Sequence, residues 1–207
     1  MTNQITILSD VHGKKRRLNE VIRQTKRHEY IVQLGDLDFN YDHLNSVDPN
    51  NFKVIGGNHD NYDTIANMPH YLGDFGYSSL NGIDFFFIRG AYSIDRAYRT
   101  VGINWWDKEQ LTIDQFDECF KLYAEIKPDI IISHDCPEFL TRELIPLGAP
   151  VYHNCTSWAL GEIYKIHQPK QWFFGHYHIS WENQVGNTLF KCLNELETYI
   201  LKKDNCS

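Results

Sequence analysis

The sequence contains no apolar run long enough to cross a membrane. A spanning helix needs roughly 20 consecutive apolar residues, and every apolar stretch in this chain of 207 residues is far shorter. The N-terminal segment 1–10 also lacks the basic region and the long apolar core of a signal peptide. We therefore expect a protein without a membrane segment, whose first strand lies within residues 1–10.

Cysteines are few, odd in number and unpaired in their spacing. No C-x-x-C pair occurs, which argues against a disulfide framework and against a zinc site built from thiolates. This pattern favours a reducing compartment, so we expect the protein to be cytoplasmic. The five cysteines are Cys119, Cys136, Cys155, Cys192 and Cys206.

Positive charge is also in deficit. The chain has 20 Lys and Arg residues against 27 Asp and Glu residues, which gives a formal net charge of -7. Affinity for phosphate backbones rests on Lys and Arg, so stable nucleic-acid binding is not expected. A short basic run, Lys14–Arg17, is more typical of a solvated helix start than of a nucleic-acid surface.

Repeats, low-complexity segments and flexible linkers are absent as well. With 42% apolar and 23% charged residues, the composition is that of an ordinary globular protein. A length of 207 residues is enough for one good core and favours one domain over two. We predict a single domain over residues 1–207.

What the sequence does contain is a series of β-rich apolar runs that alternate with helical patterns. Asn81-Gly82, between apolar segments, indicates a hairpin with a two-residue type I′ turn. The predicted strands are 5–8, 30–34, 52–55, 77–80, 83–88, 129–134 and 171–175, followed by short antiparallel strands at 181–185, 188–192 and 198–201. The clearest predicted helices are 113–126 and 157–167.

Polar side chains follow five of these strands. Alternate residues of a strand project to the same side, so His176 and His178 should point together. We expect a single parallel-type sheet to bring all five groups to one edge, outside the carboxyl ends of its strands. Each group alone has a structural alternative, such as a helix cap, an Asx-turn or a hydrogen-bonded core histidine. The groups are Asp10 and His12, Asp36, Asn58 and His59, His134, and His176 and His178.

Together, these strand ends indicate a metal centre. Two aspartates, one asparagine and four histidines form a mixed oxygen and nitrogen donor set, which suits Mn, Fe, Zn or Ni better than Ca or Mg alone. Such a set is too large for one tetrahedral ion and fits two. An aspartate shared by two cations roughly 3.5–4 Å apart is the usual arrangement for metal-assisted phosphoryl hydrolysis.

The motifs and their order resemble those of the calcineurin-like metallophosphoesterase family. The resemblance implies an α/β fold, a four-layer α/β/β/α sandwich of mixed sheets flanked by helices. It also implies a phosphoesterase that uses two divalent metal ions, for which Mn is favoured and Fe, Zn and Ni are alternatives. The motifs are Asp10-x-His12, Gly35-Asp36, Gly57-Asn58-His59-Asp60, His134 and Gly175-His176-x-His178.

The resemblance further implies a role for each of these residues. Asp36 would bridge both ions. A protonated His59 would donate to the phosphate or to the leaving oxygen, with Asp60 orienting it. The remaining ligands would be Asp10, His12 and His178 for the first ion, and Asn58, His134 and His176 for the second.

The sequence departs from the protein-phosphatase branch of this family. That branch continues the second motif as G-D-x-x-D-R-G and commonly has an arginine before G-N-H. Here residues 35–40 read GDLDFN, and Gly56 stands before the third motif. A small phosphomonoester or phosphodiester, such as a nucleotide or cyclic nucleotide, is therefore a more natural substrate than a phosphoprotein.

The loop over residues 89–99 offers candidate substrate contacts. Arginines can clamp a phosphate, and aromatic rings can stack on a base. In the alternative interpretation, Trp105 and Trp106 pack against the sheet and the charged side chains of the loop form an ion-pair network. The candidate substrate-binding residues are Arg89, Tyr92, Arg96 and Arg99.

Two other functions stay open. One is a nuclease or nucleic-acid end-processing enzyme with the same metal centre, against which the acidic net charge counts. The other is a scaffold that keeps the fold without catalysis. Such a scaffold would be expected to lack ligands or the non-ligand His59, whereas this sequence retains all of them.

Overall fold

The structure is a computed structural model that describes residues 3–24 and 30–203. Cys206 lies outside these ranges, and the other four cysteines are free thiols. The described strands are β1 (Gln4–Leu8), β2 (Tyr30–Gln33), β3 (Phe52–Val54), β4 (Phe75–Leu80), β5 (Ile83–Ile88), β6 (Ile130–Ser133), β7 (Gln171–Phe174), β8 (Trp181–Val185), β9 (Thr188–Cys192) and β10 (Thr198–Lys202).

The helices begin and end where local signals place them. Thr112 and Gln115 form a reciprocal capping box at the start of the predicted 113–126 helix. That helix ends because Lys127 adopts a left-handed conformation with φ of 48°. The 157–167 helix begins two residues earlier than predicted, capped by the Asn154 side chain. The described helices are α1 (Lys15–Gln24), α2 (Tyr62–Ile65), α3 (Ile113–Ile126), α4 (Glu138–Leu144) and α5 (Cys155–Ile166).

The strands form two sheets, so the prediction of a single sheet was wrong. The first sheet has the order β10-β1-β2-β3, with β10 antiparallel to β1 and the other pairs parallel. The second has the order β4-β5-β6-β7-β9-β8, with antiparallel strands only at its edges. The three C-terminal strands are therefore divided between the two sheets. β8 and β9 pair antiparallel as predicted, whereas β10 pairs with β1.

The two sheets pack face to face, and helices cover their outer faces. Ile5 of β1 joins Phe85 and Phe87 of β5 in a buried cluster between the sheets. Phe86 and Ile88 point the opposite way, into a cluster with α3, α4 and α5, while α1 and α2 pack on the first sheet. Both faces of the central strands are thus buried, which explains their continuous apolar runs. This is the two-sheet, helix-flanked architecture that the family resemblance implied.

Loops from both sheets meet at one end of the sandwich. The backbone N–H of Val11, after β1, donates to Asp36 O, after β2, at 3.0 Å. The backbone N–H of His176, after β7 of the second sheet, donates to the Asp10 carboxylate at 3.1 Å. The carboxyl ends of five strands are therefore held together, as predicted, although they belong to two sheets. Among the described helices, none combines the length and apolar character needed to cross a bilayer.

Candidate active site

The structure brings the predicted metal ligands together as two clusters. The donor atoms within each cluster lie within 4.8 Å of one another, and Asp36 belongs to both. The Asn58 side-chain oxygen joins the second cluster, 3.2 Å from His134 Nε2. The clusters are Asp10, His12, Asp36 and His178, and Asp36, His134 and His176. Their membership matches the two ligand sets that the resemblance implied.

In the first cluster, two imidazoles and two carboxylates converge. His12 Nε2 lies 2.8 Å from His178 Nε2 and 3.6 Å from Asp36 Oδ2. The fully buried Asp10 carboxylate is held by the Ser9 hydroxyl, which donates to it at 2.7 Å. Ring nitrogens that face each other beside two carboxylates are the donor arrangement of a shared divalent cation.

The second cluster has a fixed histidine tautomer. His134 Nδ1 lies 2.8 Å from Leu34 O, and a carbonyl only accepts, so Nδ1 carries the proton. Nε2 then presents its lone pair to the site, 3.3 Å from Asp36 Oδ1. A backbone carbonyl that orients the other nitrogen of a histidine is typical of metal-binding histidines.

The electrostatic character of the centre favours positive charge. Burial alone would lower the pKa of His134, but the Asp36 carboxylate, with smaller contributions from Asp10 and the Leu34 carbonyl, raises it to about 10. Burial would raise the pKa of Asp36, yet His134 holds it well below its usual range. Without a cation, the negative charge of Asp36 is thus balanced by a second proton on His134. A metal ion that takes the place of this proton is bound by the Nε2 lone pair.

The backbone at the ligands is in an uncommon conformation. Seven non-glycine residues have positive φ in the part of the chain that the structure describes, and four of them are predicted ligands. Left-handed non-glycine residues cost free energy and concentrate at functional sites. The four are His12, Asp36, His176 and His178, with φ of 46°, 57°, 68° and 52°.

Gly57 allows the loop after β3 to approach the centre. A Cβ atom at this position would lie 2.6 Å from the Asp36 backbone nitrogen and 2.7 Å from His134 Cε1. The Asp36 nitrogen is held by its hydrogen bond to Asp60, and the His134 ring is held by its hydrogen bond to Leu34 O. The glycine of the G-N-H motif is therefore required by close packing against two ligands.

A comparison with family models now decides the family. The model of the calcineurin-like phosphoesterases matches residues 4–180, which contain every predicted ligand. The chain belongs to the calcineurin-like phosphoesterase family. No curated protein sequence matches it.

Solved structures share the fold of this calcineurin-like phosphoesterase at low identity. TT1561 of Thermus thermophilus is 11% identical with a TM-score of 0.53, over 95% of this chain and 91% of that one. A candidate 5′-nucleotidase from Staphylococcus aureus, solved with alpha-ketoglutarate, is 15% identical with a TM-score of 0.51, over 95% and 50%. GAP50, the anchor in the inner membrane complex of Plasmodium, is 11% identical with a TM-score of 0.50, over 91% and 71%. At these identities the likeness shows the fold alone.

Asp60 does not contact the His59 ring, contrary to the prediction that it orients this histidine. Its buried carboxylate instead accepts from the backbone N–H groups of Asp36 and Gly57, each at 2.8 Å, and from the Tyr41 hydroxyl at 3.0 Å. Burial, with the charge of Asp36, raises the pKa of Asp60 to about 7. Asp60 thus positions the two loops that carry Asp36 and Gly57.

His59 lies between the shared aspartate and a cavity. Its backbone N–H donates to Asp36 Oδ1 at 2.7 Å, and its Nε2 lies 2.6 Å from Arg99 Nη2. A guanidinium can only donate, so Nε2 accepts and the ring is neutral in this arrangement. Burial lowers the pKa of His59 to about 4, with Asp36 opposing this shift and Arg99 adding to it. The structure therefore differs from the protonated His59 that was predicted.

A buried chain of hydrogen bonds, called the relay below, orients the Asn58 side chain. The sequence did not predict it. The Asn58 amide donates from Nδ2 to Ser93 Oγ at 3.2 Å, and this hydroxyl donates to Glu109 at 2.6 Å. The Ser93 N–H also donates to Glu109 at 3.0 Å. The relay turns the Asn58 oxygen toward His134. No local pattern marks it, because Ser93 and Glu109 are 16 residues apart in the connection between β5 and α3.

We expect Ser93→Ala to weaken metal binding about 10–100-fold, the usual effect of removing a group that orients a ligand. Calorimetric titration with Mn²⁺ measures this. Ser157→Ala, which removes another buried serine hydroxyl in α5, is the matched control and should leave the affinity unchanged. Equal affinities for both variants would show that Ser93 does not act through Asn58.

The predicted substrate residues separate into three groups. Arg99 and Tyr92 line the cavity beside His59. Arg96 is exposed, and its guanidinium lies 4.9 Å from the centre of the Tyr92 ring. Arg89 is buried, donates to Asp74 and Lys108 O at 2.5 Å and stacks on Tyr62. The prediction of substrate binding was therefore wrong for Arg89, whose donors are used within the fold.

The buried position of Arg89 predicts a loss of stability on substitution. Arg89→Met should lower the free energy of unfolding by about 2 kcal/mol, less than the roughly 3–5 kcal/mol of a fully buried pair, because Asp74 is 38% exposed. Urea denaturation measures this, with exposed Arg96→Met as the control. A raised KM at unchanged stability would instead assign Arg89 to the substrate.

Proposed function

We propose that this calcineurin-like phosphoesterase is a dinuclear metal-dependent hydrolase of a small phosphomonoester or phosphodiester. One observation carries the proposal. The two ligand clusters share Asp36 and open, together with His59 and Arg99, into a single cavity of about 570 Å³. That size lies within the range of small-molecule sites.

The donor set fits two divalent cations of intermediate softness. It combines imidazole, carboxylate and amide groups, with Mn favoured and Fe, Zn and Ni as alternatives. Cys136 is the thiol nearest in sequence to a predicted ligand, His134. It is buried, and burial raises its pKa well above the usual range. When bound, two such cations supply an activated water and offset the charge of the phosphoryl oxygens.

The chain itself supplies two further groups to the phosphoryl transfer. Arg99 is only 7% exposed and is aligned by Asp95 at 2.7 Å. Its guanidinium has five N–H donors, and those not used by His59, Asp95 and Asn58 are available to phosphoryl oxygens. We propose that His59 contacts the leaving oxygen. Arg99 would then supply, from another segment, the arginine that the second and third motifs lack.

A nuclease with the same centre is the alternative for the substrate. The basic run beside the site is partly neutralised, because Lys14 pairs with Glu195 and Lys15 lies 3.7 Å from Asp38. This arrangement supports a small substrate over a polyanionic strand. Activity on oligonucleotides that falls steeply with salt would favour the nuclease instead.

The proposal is tested with p-nitrophenyl phosphate and bis-p-nitrophenyl phosphate on protein loaded with Mn²⁺. We expect metal-dependent turnover of at least one ester, and the preferred ester distinguishes a monoesterase from a diesterase. The absence of turnover of both by freshly metallated, folded protein would favour a scaffold without catalysis.

A further inference from the structure

The cavity has an outer wall that the phosphoryl chemistry does not use. Its inner side is formed by metal ligands and His59. Its outer side is formed by Tyr92, on the loop after β5, and by the segment 144–154 between α4 and α5. Because the phosphoryl group binds at the metal side, the outer side is left for the group that the phosphate esterifies.

The outer wall carries two neighbouring aromatic rings. The rings of Tyr92 and Tyr152 are 28° from parallel, with their centres 6.5 Å apart. Tyr152 is 45% exposed, so part of its ring is open to contact. Aromatic faces of this kind bind planar groups by stacking, with little demand on the identity of the ring.

The rest of the outer wall carries no unpaired charge. Outside the metal ligands and His59, the charged side chains that line the cavity are Arg99 and Asp95, which pair with each other at 2.7 Å. Leu144, Ile145 and Pro146 contribute apolar surface. The exposed Arg96 lies 4.9 Å from the centre of the Tyr92 ring but does not line the cavity. A second anionic group on the substrate would therefore be desolvated against the wall without a cation inside the cavity to pair with.

The segment that carries Tyr152 is anchored at both ends. The Arg142 side chain of α4 donates to Ala149 O at 3.0 Å, and Glu138 pairs with His153. The Asn154 side chain then accepts from Ser157 N at the start of α5. The wall is therefore largely formed before any ligand binds, which lowers the entropy cost of binding.

We infer that the substrate's leaving group is uncharged and contains an aromatic ring that stacks on Tyr92 and Tyr152. The inference rests on the proposed function and extends it, because it assigns the outer wall to the choice of leaving group. Esters of small hydrophilic or anionic alcohols are then poor substrates, although they share the same phosphate.

The test compares phenyl, 2-naphthyl and 6-carboxy-2-naphthyl phosphates, each as the monoester and as the methyl diester, on Mn²⁺-loaded protein. The first two have leaving groups of similar acidity, so they differ mainly in ring area. We expect kcat/KM to be about tenfold higher for the 2-naphthyl ester, the effect of one added stacking contact. The carboxylated ester should lose this advantage.

Variants of Tyr152 test whether the preference for the naphthyl ester arises at the outer wall. Tyr152→Ala should reduce the preference for the naphthyl ester, because only the Tyr92 ring remains, while Tyr152→Phe keeps the preference because it keeps the ring. Tyr98→Ala is the matched control on the loop after β5, since Tyr98 is 92% exposed and does not line the cavity. Turnover of all esters with equal kcat/KM, or a preference that is unchanged in Tyr152→Ala, overturns this inference alone. No turnover of any ester overturns the proposed function.

Discussion

Replacing Asp36 with asparagine will reduce metal-dependent hydrolysis by roughly 10³-fold or more. Groups that merely orient a metal ligand are worth roughly 10–100-fold, whereas Asp36 contributes a carboxylate oxygen to each of the two clusters. Asparagine keeps the side-chain shape but removes the charge that both clusters share. The measurement is kcat/KM on the preferred p-nitrophenyl ester at saturating Mn²⁺, with metal content determined on the same sample.

Asp38→Asn is the matched control for this variant. Asp38 lies two residues further along the same loop, is half-buried and belongs to neither cluster. It should therefore retain near-normal turnover and metal content. If Asp38→Asn loses as much activity as Asp36→Asn, the loop rather than the shared carboxylate is responsible.

Replacing His59 with alanine will lower kcat in a way that depends on the leaving group. His59 is held against Asp36 at the edge of the cavity, and its ring is neutral while Nε2 accepts from Arg99. The negative charge of a bound phosphoryl group favours the protonated ring, and a proton donor positioned in this way typically contributes roughly 10²–10⁴-fold. The full loss is expected for an alkyl ester, whose leaving oxygen needs a proton. For a p-nitrophenyl ester, which departs without a proton, the loss should be much smaller.

His59→Gln separates proton transfer from hydrogen bonding, because glutamine donates a hydrogen bond but does not titrate. It should behave like His59→Ala on the alkyl ester. An equal loss on both esters would instead mean that His59 acts on the phosphoryl group. A loss confined to KM would mean that it only binds substrate.

The positions of the ligands could be predicted from the sequence because the motifs end strands. Asp10, Asp36 and Asn58 each follow an apolar run, and parallel strands place their carboxyl ends together. The hairpin could also be predicted, because its turn is specified by two adjacent residues. Asn81 and Gly82 have φ of 50° and 72°, which is the conformation of a type I′ turn.

The division into two sheets could not be derived from periodicity. Strands buried on both faces read as continuous apolar runs whichever sheet they join. The pairing of β10 with β1 aligns Gln4 with Lys202, near opposite ends of the chain. No local turn signal specifies such a pairing, so only the family resemblance supplied the two-sheet arrangement.

The roles of single side chains could not be predicted either, because they also depend on partners that are distant in sequence. Arg89 and Arg99 stand in one loop, yet one is tied to Asp74 and Tyr62 and the other faces His59. Burial by distant partners decides between these outcomes, and the local sequence does not show it.

Residues that are adjacent in sequence also need not contact each other's side chains. Asp60 follows His59 in sequence but binds the backbone of other loops.

Electron paramagnetic resonance of the Mn²⁺-loaded protein tests whether this chain binds two divalent cations that share Asp36. Two Mn²⁺ ions per chain with the exchange-coupled spectrum of a bridged pair are predicted, and Asp36→Asn should lose that coupling. A single uncoupled Mn²⁺ ion per chain at saturation, or none, would mean that Asp36 does not join two metal ions.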